Sequence, residues 1–320
     1  MRVAVLDLGT NVFNMLLANF TENGCEFIKE FKCAAKLGAG GLSSGKISEG
    51  AFETASSAME RILNEIEKAG GADVIVPYAT SAVRDAQNGT EFVKFMHDRF
   101  GVDVQVIPGE REAELIFKGI MQSLPEELFE KMKQDGEAAE KILMLDIGGG
   151  SNELIISDGV KILWKRSFPI GMARMREKFQ YEEPIGADVV AGFEAYCDEV
   201  LQPLYAEIEK YRPTVFVGSS GSFDTFKDLM FGLDAPKVPS MVLPADQLKA
   251  LHDMLLASVP EQRLAMPGMS PIRVDYIVLA SVFTQLVLRK INCRIIYQSD
   301  YSLKEGGMAE LYKEFIEKQK

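Results

Sequence analysis

The sequence predicts a mixed α/β protein of two related domains around a cleft. Three observations carry this. The block RVAVLDLGTNVFNMLLANF, from residue 2, is repeated in pattern by KILMLDIGGGSNELIISDG, from residue 141. Each is an apolar run ending in Asp, a glycine turn and a second apolar run, which reads as a β-hairpin. Outside the hairpins, apolar runs alternate with segments of helical periodicity. The length of 320 residues suits two domains rather than one.

In order, residues 1–20 form the first hairpin, and turn signals follow through Gly24 and Gly38. From Ser48 to Ala69, Phe52, Ala55, Met59, Ile62, Leu63 and Ile66 share one helical face. ADVIVPYAT (72–80) is a strand leading into a helix, and VDVQVIPG (102–109) an alternating strand. EREAELIFKGIMQSL (110–124) is a helix with acids in its first turn. The apolar-poor stretch 125–141 marks the domain boundary, and the second hairpin follows. KILWKRSFPIG is extended, and MARMREKF begins a helix. FEAYCDEVLQPLYAEIEKYRP is one helix ending at a proline. TVFVGSSG (214–221) is a buried strand running into a glycine turn, and 275–291 a strongly apolar helix. RIIYQSD is the last strand, and a helix from about Met308 closes the chain, with Leu311, Phe315 and Ile316 as its apolar face.

Composition removes several classes of function. A net charge of −12 argues against general binding to nucleic acid or anionic membrane. It also requires that an anionic substrate be met by a local cluster of Lys, Arg or metal. No apolar run approaches the roughly 20 residues of a membrane span, and the early Asp7 argues against a signal peptide. The expected location is the cytoplasm. Cys25, Cys33, Cys197 and Cys293 lack zinc spacing and read as reduced thiols. With His97 and His252 each alone, zinc HExxH chemistry is absent. GSSGS at 218–222 fails the GxSxG pattern of a nucleophile elbow.

What remains is phosphate and metal chemistry. Glycine turns let backbone N–H groups point at an anion without a side chain in the way. Gly9, Thr10 and Asn11 form the first such turn, and Gly148, Gly149, Gly150 and Ser151 the second. Asp7 and Asp146, at strand ends, can hold a hard cation such as Mg²⁺. No Lys-Ser/Thr pair follows, so neither turn is a P-loop. Lys165, Arg166, Arg174, Arg176 and Lys178 are the densest basic stretch, suited either to guiding a polyanion or to a solvated face.

The chain resembles the exopolyphosphatase and guanosine pentaphosphate phosphohydrolase family of the actin-like superfamily. The matching stretches are DLGTN (7–11), LGAGGL (37–42), ATSAVRDAQN (79–88), IPGEREAELI (107–116) and LDIGGGSNEL (145–154). SFPIGMARM (167–175), VGSSGSFDT (217–225), RVDYI (273–277) and LKEGG (303–307) continue the series in family order. The resemblance implies two actin-like, ribonuclease H-like domains around a central cleft. It assigns 1–124 plus 303–320 to the first and 125–302 to the second. It places the catalytic glutamate at Glu112, a second acidic site residue for metal or water at Glu153, and a phosphate-clamping arginine at Arg84. It adds Gly218 and Ser219 as a further phosphate loop, with metal on Asp146, Asp7 and Glu153.

The implied activity is Mg²⁺-dependent release of terminal phosphate from inorganic polyphosphate by water. Guanosine pentaphosphate is the second substrate. A kinase of the same superfamily and a weakly active alarmone-binding protein are the other readings. No nucleic-acid or membrane partner is expected, and a homodimer is compatible with the resemblance. Two departures stand out. The family's first turn usually reads Asp-x-Gly-Ser-Asn-Ser, with a basic residue two positions later. Here Val12 replaces the last Ser and Asn14 the basic residue, so a positive charge is missing beside the anion site. With the final helix as its last element, the sequence resembles the short two-domain form of the family.

Overall fold

A computed structural model describes residues 1–41, 44–134 and 140–319. The chain splits into two compact units, Met1–Gly119 with Ser302–Lys320, and Ile120–Tyr301. Leu42 and 135–139, within two stretches singled out above, lie outside the described residues.

The first unit begins with β1 (Arg2–Leu8), β2 (Val12–Thr21), β3 (Gly24–Ala34), α1 (Glu49–Lys68) and β4 (Val74–Ala79). It continues with α2 (Ser81–Arg84), α3 (Gly89–Phe100), β5 (Gln105–Val106) and α4 (Gly109–Ser123), in which the division falls. The second unit holds α5 (Glu126–Gln134), β6 (Ile142–Ile147), β7 (Asn152–Ser157), β8 (Ile162–Phe168), α6 (Met172–Lys178), α7 (Ala187–Val200) and α8 (Gln202–Tyr211). It ends with β9 (Val215–Ser219), α9 (Ser220–Phe231), β10 (Ser240–Val242), α10 (Ala245–Leu256), α11 (Pro260–Leu264), α12 (Ile277–Leu288) and β11 (Ile295–Ser299). The chain then returns to the first unit as α13 (Leu303–Glu317). The stretch 125–141 thus lies inside the second unit.

The two sheets share a plan. The first is ordered β3-β2-β1-β4-β5, and the second β10-β11-β9-β6-β7-β8. In each, three antiparallel strands are followed by two parallel ones, and the second sheet adds β10 antiparallel at its edge. β6 and β7 are buried at every residue, which is why they read as continuous apolar runs rather than alternating ones. β3, at an edge, alternates exposed polar residues with half-buried ones. Leu6, Phe13, Met59, Ile62 and Phe92 fill the first core. The second packs Leu145, Leu154 and Phe216 against Phe223 and the wholly apolar face of α12. Each such side chain contributes about 1.5–3 kcal/mol by leaving water.

Two elements differ from the expectation. The strand at 102–109 shrinks to Gln105–Val106, because β4 offers only Tyr78 and Ala79 for pairing. Val102, Val104 and Ile107 are still buried, which explains the alternation. The single helix expected over 193–213 breaks at Leu201. α8 restarts with Pro203 in its first turn, where the missing N–H is harmless.

α13 docks on the first unit through its N-terminal half. Ser302 and Glu305 form a capping box. Leu303 and Glu305 through Met308 are buried, whereas Leu311, Phe315 and Ile316 are only half-buried. Phe315 and Tyr312 pack on Phe20 at 5.7 and 5.2 Å between ring centroids. The closest approach is backbone to backbone. A Cβ on Gly306 would overlap the Leu115 carbonyl of α4, and one on Gly119 would overlap the Ser302 carbonyl. Gly306→Ala should therefore cost roughly 1–3 kcal/mol, as overpacking does. Gly50→Ala, with open space around it, should be neutral or stabilising by up to about 1 kcal/mol. Urea unfolding of both variants checks this, and equal midpoints would refute it.

Candidate active site

In the second unit the site is a row of side chains crossing the whole sheet. Ser240 of β10 is in register with Ser299 of β11, Ser299 with Ser219 of β9, and Ser219 with Asp146 of β6. Asp146 faces Glu153 of β7, and Glu153 faces Ser167 of β8. Side chains paired across strands share a face, so two acids stand in a line of hydroxyls. The bonds agree. Asp146 Oδ2 accepts from Ser219 Oγ at 2.8 Å and from Ser220 Oγ at 2.6 Å. Glu153 Oε1 accepts from Ser151 Oγ at 2.8 Å and Ser167 Oγ at 2.6 Å. Asp146 and Glu153 are 5% and 1% exposed, so neither carboxylate is a solvated surface acid. Bonds to a charged acceptor contribute roughly 1.5–3 kcal/mol each.

Ser220 holds a left-handed φ of 70°, disfavoured for any side chain. Its hydroxyl bond to Asp146 is an interaction that the strain makes available. Gly218, expected on phosphate, has a packing reason to be glycine. It lies inside β9, and a Cβ there would run into the Phe223 ring. Ser219, expected on phosphate, gives its hydroxyl to Asp146. Arg273 lies against Gly221. Burial pulls its pKa down, against the Asp224 and Asp146 carboxylates that favour its charge.

The second glycine turn is gripped by its carbonyls. Gly148 O accepts from Met172 N at 2.9 Å, and Gly149 O from Ala173 N at 2.9 Å and Arg174 N at 3.1 Å. Gly150 O accepts from Gly171 N at 3.2 Å and from Arg174 Nε at 3.0 Å. Carbonyls so engaged by the start of α6 fix the turn's backbone, and the amides of such a glycine turn suit an anion. The grip depends on glycine: a Cβ on Gly171 would come within 2.5 Å of the Gly149 carbonyl. Arg174 of the basic stretch therefore serves the turn rather than a solvated face.

The first unit repeats the design with other side chains. Gly9 N donates to Val12 O at 3.1 Å, as Gly148 N does to Ser151 O at 3.1 Å. Thr10 and Asn11 are buried, and their carbonyls accept from Gly38 N, Ala35 N and Lys36 N. Asp7 faces Asn14 in register, and Asn14 Nδ2 donates to Asp7 Oδ2 at 2.9 Å. Asn14 thus stands where Glu153 stands in the second hairpin. Glu112, in the first turn of α4, is 7% exposed and bonded to Arg84 Nη1 at 2.7 Å. Arg84 Nη1 also donates to Ile107 O at 3.1 Å. The structure therefore joins Glu112 to Arg84 in the first unit, and Asp146 to Glu153 and Ser219 in the second.

Ser167 and Arg273 were not singled out from sequence, and Ser220 was read only as part of the turn after β9. The equal length of the two hairpin turns could have signalled the Asp146–Glu153 register. Nothing local signals Ser167 or Arg273, which arrive through long-range pairing. Thiol nucleophiles are disfavoured, because burial pushes Cys25 up to about 11 and Cys197 up to about 12.

Mg²⁺ is commonly held by one or two carboxylates, with waters and substrate phosphates completing the shell. The buried, oxygen-only Asp146–Glu153 pair fits that requirement. Among the described residues no group of three His, Cys, Asp or Glu could hold a metal unaided. No described helix is long and apolar enough to cross a membrane.

Exopolyphosphatase 1 of Mycobacterium bovis is 27% identical over 312 residues, 96% of this chain and 87% of that protein. The crystal structure of an exopolyphosphatase from Cytophaga hutchinsonii matches with a TM-score of 0.91 at 33% identity, over 98% of each chain. The Aquifex aeolicus member of the Ppx/GppA family shares the fold, with a TM-score of 0.75 at 24% identity over 98% of each chain. Residues 17–315 match the Ppx/GppA phosphatase family, and the chain belongs to it.

Proposed function

We propose that the protein is an exopolyphosphatase, releasing terminal phosphate from inorganic polyphosphate with Mg²⁺ and water. The observation that carries this is the buried Asp146–Glu153 pair held by four serine hydroxyls. Two acids side by side in low dielectric repel, and a divalent cation relieves that repulsion. Bound there, Mg²⁺ would neutralise charge on phosphate oxygens.

The remaining roles fall to the chain itself. Glu112 orients the attacking water and takes its proton. Arg84, whose planar fork suits phosphate, moves part of its bonding from Glu112 to the phosphoryl oxygens as substrate binds. The backbone amides of each glycine turn suit phosphate oxygens. Phosphoryl transfer of this kind needs positioning and electrostatics rather than a covalent intermediate.

The test is phosphate release from polyphosphate, guanosine pentaphosphate, pyrophosphate and ATP, each with Mg²⁺ and with EDTA. Release should be fastest from polyphosphate and lost with EDTA. Faster release from guanosine pentaphosphate would move the assignment to that substrate. Tight binding without release would make the protein an alarmone- or polyphosphate-binding one.

A further inference from the structure

We propose that Lys32 and Lys36 hold the phosphate chain of the substrate at the first glycine turn, supplying the charge that Asn14 lacks. The ligand class, a linear oligophosphate, rests on the function proposed above. The position of the two lysines does not.

The first argument is register. β2 pairs with β3 so that Asn14 faces Lys32, and Asn14 faces Asp7 on its other side. Registered neighbours share a face, so Lys32, Asn14 and Asp7 form one row beside the turn. The four-carbon stem of lysine exceeds the roughly 4.8 Å between strands. A cation on Lys32 therefore serves the place where a basic residue at position 14 would act.

The second argument is independent. Lys36 is one of three non-glycine residues with positive φ among those described, at 47°. Its N–H donates to Asn11 O at 3.0 Å, so its backbone belongs to the grip on the turn. Glycine would meet that geometry without strain. The exposed lysine side chain is not explained by packing. It places a cation at the rim of a turn whose amides suit an anion. The hairpin from Asp7 to Asn14 contains no basic residue, and the chain carries a net charge of −12. Local cations must then come from neighbouring segments: Lys32 is in register beside Asn14, and the backbone of Lys36 is bonded to the turn. Ammonium groups on flexible stems suit a chain of equivalent phosphates better than a fixed fork would.

Binding of inorganic polyphosphate to the Glu112→Gln protein tests this without hydrolysis. Lys32→Gln and Lys36→Gly should each weaken binding by roughly 3–10-fold and together by roughly 10–100-fold, with a shallower salt dependence. Lys36→Gly also relieves the backbone, so its melting temperature should hold or rise while affinity falls. Lys32→Arg should retain most affinity. Lys94→Gln, which removes an equal charge from a surface pair with Asp98, should change little. A double variant that binds as tightly as its parent, or loses no more than Lys94→Gln, would overturn the proposal. So would a parent that binds no polyphosphate. Lysine-dependent binding by a protein whose wild type releases no phosphate would uphold the two lysines and defeat the hydrolase reading.

Discussion

Glu112→Gln should lower phosphate release by roughly 10²–10⁴-fold, the usual contribution of a positioned general base. Glutamine keeps the size of the side chain and an oxygen for Arg84, so the 2.7 Å contact can survive as a neutral bond. It cannot take a proton from water at neutral pH. Affinity should hold or rise, because one negative charge near a polyanion is gone. Glu110→Gln and Glu114→Gln are the controls. Glu114 pairs with Arg111 at 3.2 Å on the half-exposed face of α4, and such a pair contributes at most about 1 kcal/mol. If all three acids merely complement the helix dipole, the three variants will share small losses of stability, about 0.3–1 kcal/mol, with wild-type turnover. That outcome would remove Glu112 from the mechanism.

Asp146→Asn should abolish Mg²⁺-dependent release, a loss of roughly 10³-fold or more, since charge neutralisation at phosphoryl oxygens supplies several kcal/mol. The fold should survive. Asparagine still presents an oxygen to Ser219 and Ser220, and one of two crowded buried charges disappears, so the empty protein should have equal or higher stability. Thermal unfolding supplies a readout apart from activity. Mg²⁺ should raise the melting temperature of the wild type by linkage and leave the variant unmoved. Equal turnover, or an equal response to Mg²⁺, would reject Asp146 as a metal residue.

The hairpins were legible because their signal is local. Asp, glycine turn and flanking apolar runs sit within about 19 residues, and the repeat doubles the signal. Most helices were legible from periodicity, α1 and α12 above all. What escaped depends on pairing between distant segments. The serines of the row are unremarkable in sequence, and only the registers of β8, β9 and β11 line them up with Asp146 and Glu153. Gly218 looked like a loop glycine because its true neighbour, the Phe223 ring, packs back from α9. The split between α7 and α8 was visible in Pro203, but apolar periodicity on both sides masked it. Asn14 read as a loss in one dimension. In the sheet it has a lysine beside it.

The contact between α4 and α13 has a consequence for synthesis. Glu112 and Gly119 are seven residues apart on α4, two turns along one helical face. The helix that carries Glu112 is therefore seated, further along, on Ser302 and Gly306. Those residues follow every strand of both sheets in the chain. A nascent chain can complete both hairpins and both rows while the seat for α4 is still inside the ribosome. The seating of α4, and of Glu112 with it, is then completed only once α13 has formed.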